Sequence, residues 1–364
     1  MIYLLLIIFC VLMGMLSSRY KLVNVTGKEI KIYKNLSLLA IVFIAGFRGY
    51  GVGTDTSGTY WDIFNIAKNN LSAIRDRGYG FINYIISKYN GSYSLVLVVV
   101  SLIIYGFVFS RIYKSSAIPW YSVFLFFSTD FFFISLNMIR QSIVVAIFVY
   151  ALPLIHSDRK KDIIKYWMLS LLGVSMHTSG ILLVVIFFIY RYIRLTPKKA
   201  FMLTICNVFL YNVMTIVVVK LLFKISYIRR YFFWYFQSSY NNGQISLFGI
   251  LIPFSILIFW AFIYSKDTKS REDYSVNDLG LSMLMATNLM IYSGSIPLIQ
   301  RIAFYFTSQI IILLPTLFLY INLKKTRNIV KTGVFICYLI YMIITIFIQK
   351  QEGVLPYSNV LFGG

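Results

Sequence analysis

A bundle of membrane-spanning α-helices is the fold class that three features of this 364-residue chain predict. Hydrophobic residues make up 59% of it and charged residues only 13%, against about a quarter charged in ordinary soluble domains. Apolar runs close to the roughly 20 residues needed to cross a hydrocarbon layer recur along its whole length. These runs, such as Ser94 to Phe109, are continuous and lack the alternation of a barrel strand. Helices are therefore the way to satisfy the backbone in lipid. The expectation is an all-α polytopic transmembrane bundle of about twelve spans, forming a single integral membrane domain over residues 1–364.

The spans follow in order. Residues 1–18 form the first, and 35–49 the second, whose apolar part Leu36 to Phe47 is short. An outer loop, 48–92, leads to a span at 93–110. Between Ile118 and Ile155 only Asp130 and Arg140 are charged. Two spans, 119–134 and 137–155, therefore meet in a tight turn around Ser135 to Asn137. Spans 163–178 and 179–193 meet at the sequence SMHTSG, where Thr178 and Ser179 can cap the next helix. Span 200–219 precedes a second outer segment, 220–245, whose mixed aromatic and basic residues suit a membrane interface. Spans 246–265, 278–293, 302–322 and 332–349 complete the bundle.

Orientation follows from the basic residues, because cytoplasmic loops retain Lys and Arg. Connections 19–34, 110–118, 156–165, 191–199, 266–277 and 323–332 hold 22 of the 34 Lys and Arg. That set is expected in the cytoplasm, with both termini outside. Five basic residues between Arg19 and Lys34 follow the first span, which fits an outward N-terminus better than a cleaved signal peptide. The net charge of +22 is thus a topological signal, and no nucleic-acid surface is expected. Cys10, Cys206 and Cys337 fall in apolar spans, with neither metal spacing nor a disulfide framework.

Several polar residues stand at the outer ends of helices, where topology does not require them: Arg48, Asp55, Arg140, His177, Arg229, Arg230 and Arg301. Intramembrane ionisable groups mark sites by default. Arg48 opens RGYGVGTDTSGTYWDIF, whose glycines let backbone approach a ligand; its other reading is a snorkelling helix-end cation. Asp55, among Thr54, Thr56, Ser57 and Thr59, suits a general base, a sugar-hydroxyl acceptor or a loop cap. Asp62 is read as structural. Arg140 faces a ligand or pairs with Asp130. His177 is a catalytic or phosphate-contacting group or a helix-end residue, and with no second His or Cys nearby a metal site is not expected. Arg301 repeats the logic of Arg48. Arg229 and Arg230 rank second, as lipid or substrate contacts.

Basic groups outnumber acids in this set, so the expected ligand is an anion. The guanidinium fork matches phosphate oxygens, and several arginines converging in one site suit a diphosphate. A chain without a soluble domain directs this to a lipid-linked diphosphate. Arginines would then stabilise the leaving charge without a metal or other cofactor. No D-x-D and no P-loop pattern occurs, so a nucleotide-sugar donor in the cytosol is not expected.

The motifs VGTD at Val52 to Asp55 after Arg48, Tyr60, MIRQSI around Arg140, SMHTSG around His177, QRIAFYF around Arg301 and LPYSN at Leu355 to Asn359 together resemble the EpsG family of bacterial exopolysaccharide proteins, akin to Wzy-type O-antigen and capsule polymerases. The resemblance covers nearly the whole chain through the order and spacing of short pieces. It implies a GT-C-like polymerase in the bacterial cytoplasmic membrane. Such an enzyme joins undecaprenyl-diphosphate-linked oligosaccharide repeat units on the outer face, with a chain-length regulator as a candidate partner. Under that reading Arg48, Arg140 and Arg301 hold the donor diphosphate, His177 or Asp55 deprotonates the acceptor, Tyr60 contacts substrate, and the sugar inverts. A lipid-linked glycan flippase or exporter and a membrane O-acyltransferase using His177 are the competing readings.

Overall fold

The computed structural model describes residues 1–22, 27–224, 246–296 and 298–362. The expected interfacial segment beyond Lys224, with Arg229 and Arg230, lies outside the described residues. Among the described residues the chain is helical and forms no strand; the one β-type pairing is an isolated antiparallel bridge between Arg48 and Asn359. Its contacts group into two compact units, Met1–Tyr192 with Asn322–Gly364, and Ile193–Ile321.

The first unit contains α1 (Ile2–Leu22), α2 (Gly27–Gly46), α3 (Trp61–Asn69), α4 (Arg77–Lys88), α5 (Tyr93–Ser115), α6 (Pro119–Ser128), α7 (Phe131–Asn137), α8 (Ile139–Ile155), α9 (Lys160–Met176) and α10 (Leu182–Tyr192). Helix α8 is its centre. Residues Ile143 through Phe148 are all fully buried, as expected of a helix that is apolar on every side, and α5 and α9 pack on it. Around α6 and α7 the core is aromatic, with Phe126 edge-on to Phe109 at 5.2 Å and Tyr3 of α1 edge-on to Phe133 at 5.3 Å. Such edge contacts satisfy the ring quadrupoles.

The stretch from Ile118 to Ile155 is broken twice. Helices α6 and α7 bend by 48°, with Asp130 left-handed at φ 60° between them, and α7 gives way to α8 at Met138. The second break falls just after the turn expected at Ser135 to Asn137.

The second unit contains α11 (Pro197–Phe209), α12 (Tyr211–Lys224), α13 (Leu247–Lys266), α14 (Thr268–Glu272), α15 (Tyr274–Met290), α16 (Ile299–Thr307) and α17 (Ile310–Leu317). Helix α15 packs against α13, α11, α16 and α17. Polar staples tie it in place: Asn277 accepts the Leu195 N–H at 2.9 Å, and Asn288 donates to Thr204 Oγ1 at 3.2 Å. In lipid such bonds replace the missing hydrophobic drive between helices. The first unit closes with α18 (Lys324–Met342) and the terminal segment after it.

Among the described residues four helices are long and apolar enough to cross a membrane, or up to seven if each bent pair counts as one span. Every apolar segment expected from the sequence coincides with a helix or a helix pair. Large side chains such as Leu39, Leu171, Phe188, Phe209 and Phe262 are exposed on them, a surface suited to acyl chains and not to water. The protein is a helical membrane protein.

Candidate functional site

Helix α4 begins, α8 begins and α9 ends at one place in the first unit, where α9 packs on both α4 and α8. The approach is close. A Cβ on Gly78, in the first turn of α4, would come within 2.5 Å of Ser175 Oγ on α9, so a side chain there would push the helices apart.

Arg140, the second residue of α8, is the hub. Its Nη1 lies 2.6 Å from Asp76 Oδ2, and its guanidinium lies over the Tyr60 ring with its carbon 5.6 Å from the centroid. Asp76 is 3% exposed and Arg140 23%, so the pair is closed on its acidic side and open on its basic side. Arg140 Nε has no hydrogen-bond partner. The carboxylate partner is thus Asp76 and not Asp130, the pair considered from sequence. Asp130 lies buried on the far side of α7, at the α6 break.

Asp76 was not among the sequence candidates. The signal was present: the tetrapeptide Arg-Gly-Tyr-Gly occurs at 48–51 and again at 77–80, directly after Asp76. Asp76 occupies the N-cap position of α4 but makes no side-chain capping bond, which ordinarily contributes about 1 kcal/mol.

Tyr60 is buried against Tyr79, ring centroids 5.8 Å apart. Burial pushes its phenol up from the usual tyrosine range, with Arg140 pulling it down and Asp55 pushing it up. Its hydroxyl therefore stays protonated at neutral pH. The same influence places Asp55 within electrostatic reach of this cluster. Asp55 precedes the short helical turn Thr56–Tyr60, partly exposed and without a side-chain capping bond.

His177 ends α9 and begins the next short turn. Its Nδ1 accepts the Ser179 amide N–H at 3.2 Å and contacts Ser179 Oγ at 2.6 Å. The histidine itself, and not Thr178 or Ser179, caps this turn. A neutral ring accepting an N–H at Nδ1 carries its proton at Nε2.

Arg48 is 2% exposed. It donates to the carbonyls of Ala45 in α2 and Leu136 in α7, the latter at 2.9 Å. Its Nε has no partner, and it lines a small cavity with Ser101, Tyr105, Ser135 and Ile139. The terminal segment seals it: Gly49 N–H donates to Ser358 O at 2.8 Å, and Val360 N–H to Phe47 O at 3.0 Å. Nearby, Gly53 at φ 92° donates its N–H to Gly353 O at 2.9 Å, a conformation open to glycine. Arg48 thus serves backbone carbonyls at the junction of α2, α7 and the terminal segment.

The structure brings Arg140, Asp76, Tyr60, Asp55 and the end of α9 into one neighbourhood, with Arg48 beside Ile139, the residue before Arg140. Arg301 belongs to the second unit, at the third position of α16, partly buried. Among the described residues no group of three or more His, Cys, Asp or Glu gathers as a metal site.

A polytopic helical membrane protein with a partly exposed guanidinium held by a buried carboxylate is the class that fold and site define. The EpsG family model matches residues 31–359, and the chain belongs to the EpsG family, consistent with a Wzy-type polysaccharide polymerase. No curated protein and no solved structure matches it.

Proposed function

We propose that this protein joins undecaprenyl-diphosphate-linked oligosaccharide repeat units into a surface polysaccharide on the outer face of the bacterial cytoplasmic membrane. The proposal includes a single twelve-span domain of GT-C-like architecture with both termini outside. The observation that carries it is Arg140, anchored from behind by Asp76 at 2.6 Å and open in front. A partly exposed guanidinium on a fixed base suits a phosphate oxygen.

In this reading Arg140 holds the donor diphosphate and Arg48 shapes the junction beside it. The acceptor hydroxyl oxygen attacks the anomeric carbon, and the bond to the diphosphate oxygen breaks with its electron pair going to the diphosphate. The guanidinium stabilises that charge, so no metal is required. The proton goes to Asp55, because Nδ1 of the histidine alternative already accepts the Ser179 amide N–H. Displacement from the opposite face inverts the sugar.

The test is polymerisation of a purified lipid-linked repeat by the purified protein in phospholipid vesicles. A ladder of lengthening glycans is expected, and absence of chain growth with intact substrate would overturn the reading. In cells lacking the protein, single repeats should accumulate outside the membrane; accumulation inside would favour a flippase.

A further inference from the structure

We propose that Asp76 is a counter-charge that limits how tightly Arg140 holds a diphosphate, so that the spent lipid diphosphate leaves after each transfer. The inference rests on Arg140 as the diphosphate ligand and adds a positioning residue that acts through it. Asp76 stands where its carboxylate would ordinarily accept first-turn N–H groups, yet it makes no such bond. Oδ2 is given to Arg140, and Oδ1 is buried without a hydrogen-bond partner. A forgone cap and a dry lone pair both cost stability. Rules broken in this way collect at functional positions.

The exposure difference decides what a ligand meets. An anion can approach Arg140 but not Asp76, so it encounters a nearly neutral pair and not a bare cation. The carboxylate has two opposed effects on that anion: it orients the guanidinium, which favours binding, and it repels negative charge from a few ångströms away. Tyr60 also holds the guanidinium, from its ring face, so orientation survives without Asp76. Coulomb repulsion between full charges at this range outweighs the rotamer freedom of one side chain. The reaction makes this matter. Cleavage leaves its electron pair on the diphosphate, so the product is more negative than the donor and would be the species trapped by an unopposed arginine.

The experiment measures binding of undecaprenyl diphosphate to wild type, Asp76→Asn, Asp76→Ser, Asp76→Glu and Arg140→Gln in phosphatidylcholine nanodiscs, alongside single- and multiple-turnover polymerisation. The Asn and Ser variants should bind about tenfold tighter than wild type, with the first turnover kept and multiple turnover slowed. The Glu variant keeps the charge and should bind within about twofold of wild type. If wild type and Arg140→Gln bind alike, the diphosphate site at Arg140 is wrong. If they differ but the neutral Asp76 variants bind no tighter than wild type, only the counter-charge inference fails. Loss of the folded state in both neutral variants, read by thermal melting, would make Asp76 a structural anchor and would also overturn it.

Discussion

Asp76 and Arg140, 64 residues apart, meet at 2.6 Å through a carboxylate that leaves the helix beginning beside it uncapped. The pair ties the start of α4 to the start of α8. It presents the basic partner outward, and the consequences can be separated by mutation.

Arg140→Ala removes the partly exposed guanidinium and leaves the Asp76 carboxylate without its partner. Polymerisation should fall by roughly 10²–10³-fold, the effect of losing one transition-state donor. Single lipid-linked repeats should persist on a glycan gel. Arg140→Lys keeps the charge but not the bidentate geometry, and should recover only a minor part of the activity.

Arg48→Ala should act on stability first. It strips donors from the carbonyls of Ala45 and Leu136 and leaves a cavity, a loss of about 2–4 kcal/mol. Thermal melting in detergent should show a clear drop for this variant. Unchanged melting would contradict the assignment of Arg48 to the junction.

Asp55→Asn should separate binding from chemistry. The side chain makes no capping bond, so the change should cost within about 0.5 kcal/mol of stability. Turnover should collapse, while lipid diphosphate binding stays near wild type. A variant that turns over normally would remove Asp55 as the base.

Gly78→Ala should strain the joint between α4 and α9, because the added methyl falls 2.5 Å from Ser175 Oγ and 3.0 Å from the Ser175 carbonyl carbon. Overpacking of this kind costs about 1–3 kcal/mol. Gly78→Ala combined with Ser175→Gly should recover part of the lost melting temperature, since the hydroxyl is then gone. No recovery would place the strain elsewhere.

Composition and periodicity carried the fold class and the positions of the helices. Runs such as Leu247 to Lys266 admit no other solution in lipid, because every backbone group must be bonded within its own segment. The placing of Arg140 and His177 at helix ends was also legible, since a charge or an imidazole at the end of an apolar run is costly and so conspicuous. Partners were not. Asp130 was the nearest carboxylate to Arg140 along the chain, and only the packing of both α4 and α8 on α9 brings Asp76 there instead. The tautomer of His177 likewise depended on which amide turned toward Nδ1. Arg48 read from sequence as a diphosphate ligand or a snorkelling helix-end cation, and the return of the terminal segment over Gly49 and Phe47 helps to bury it.

The sequence by itself determined that this chain crosses a membrane as helices and which charges stand at helix ends, because desolvation acts on each segment alone. Only the tertiary structure decided which charges meet and which remain open to a ligand, because pairing depends on a few ångströms between elements far apart in the chain.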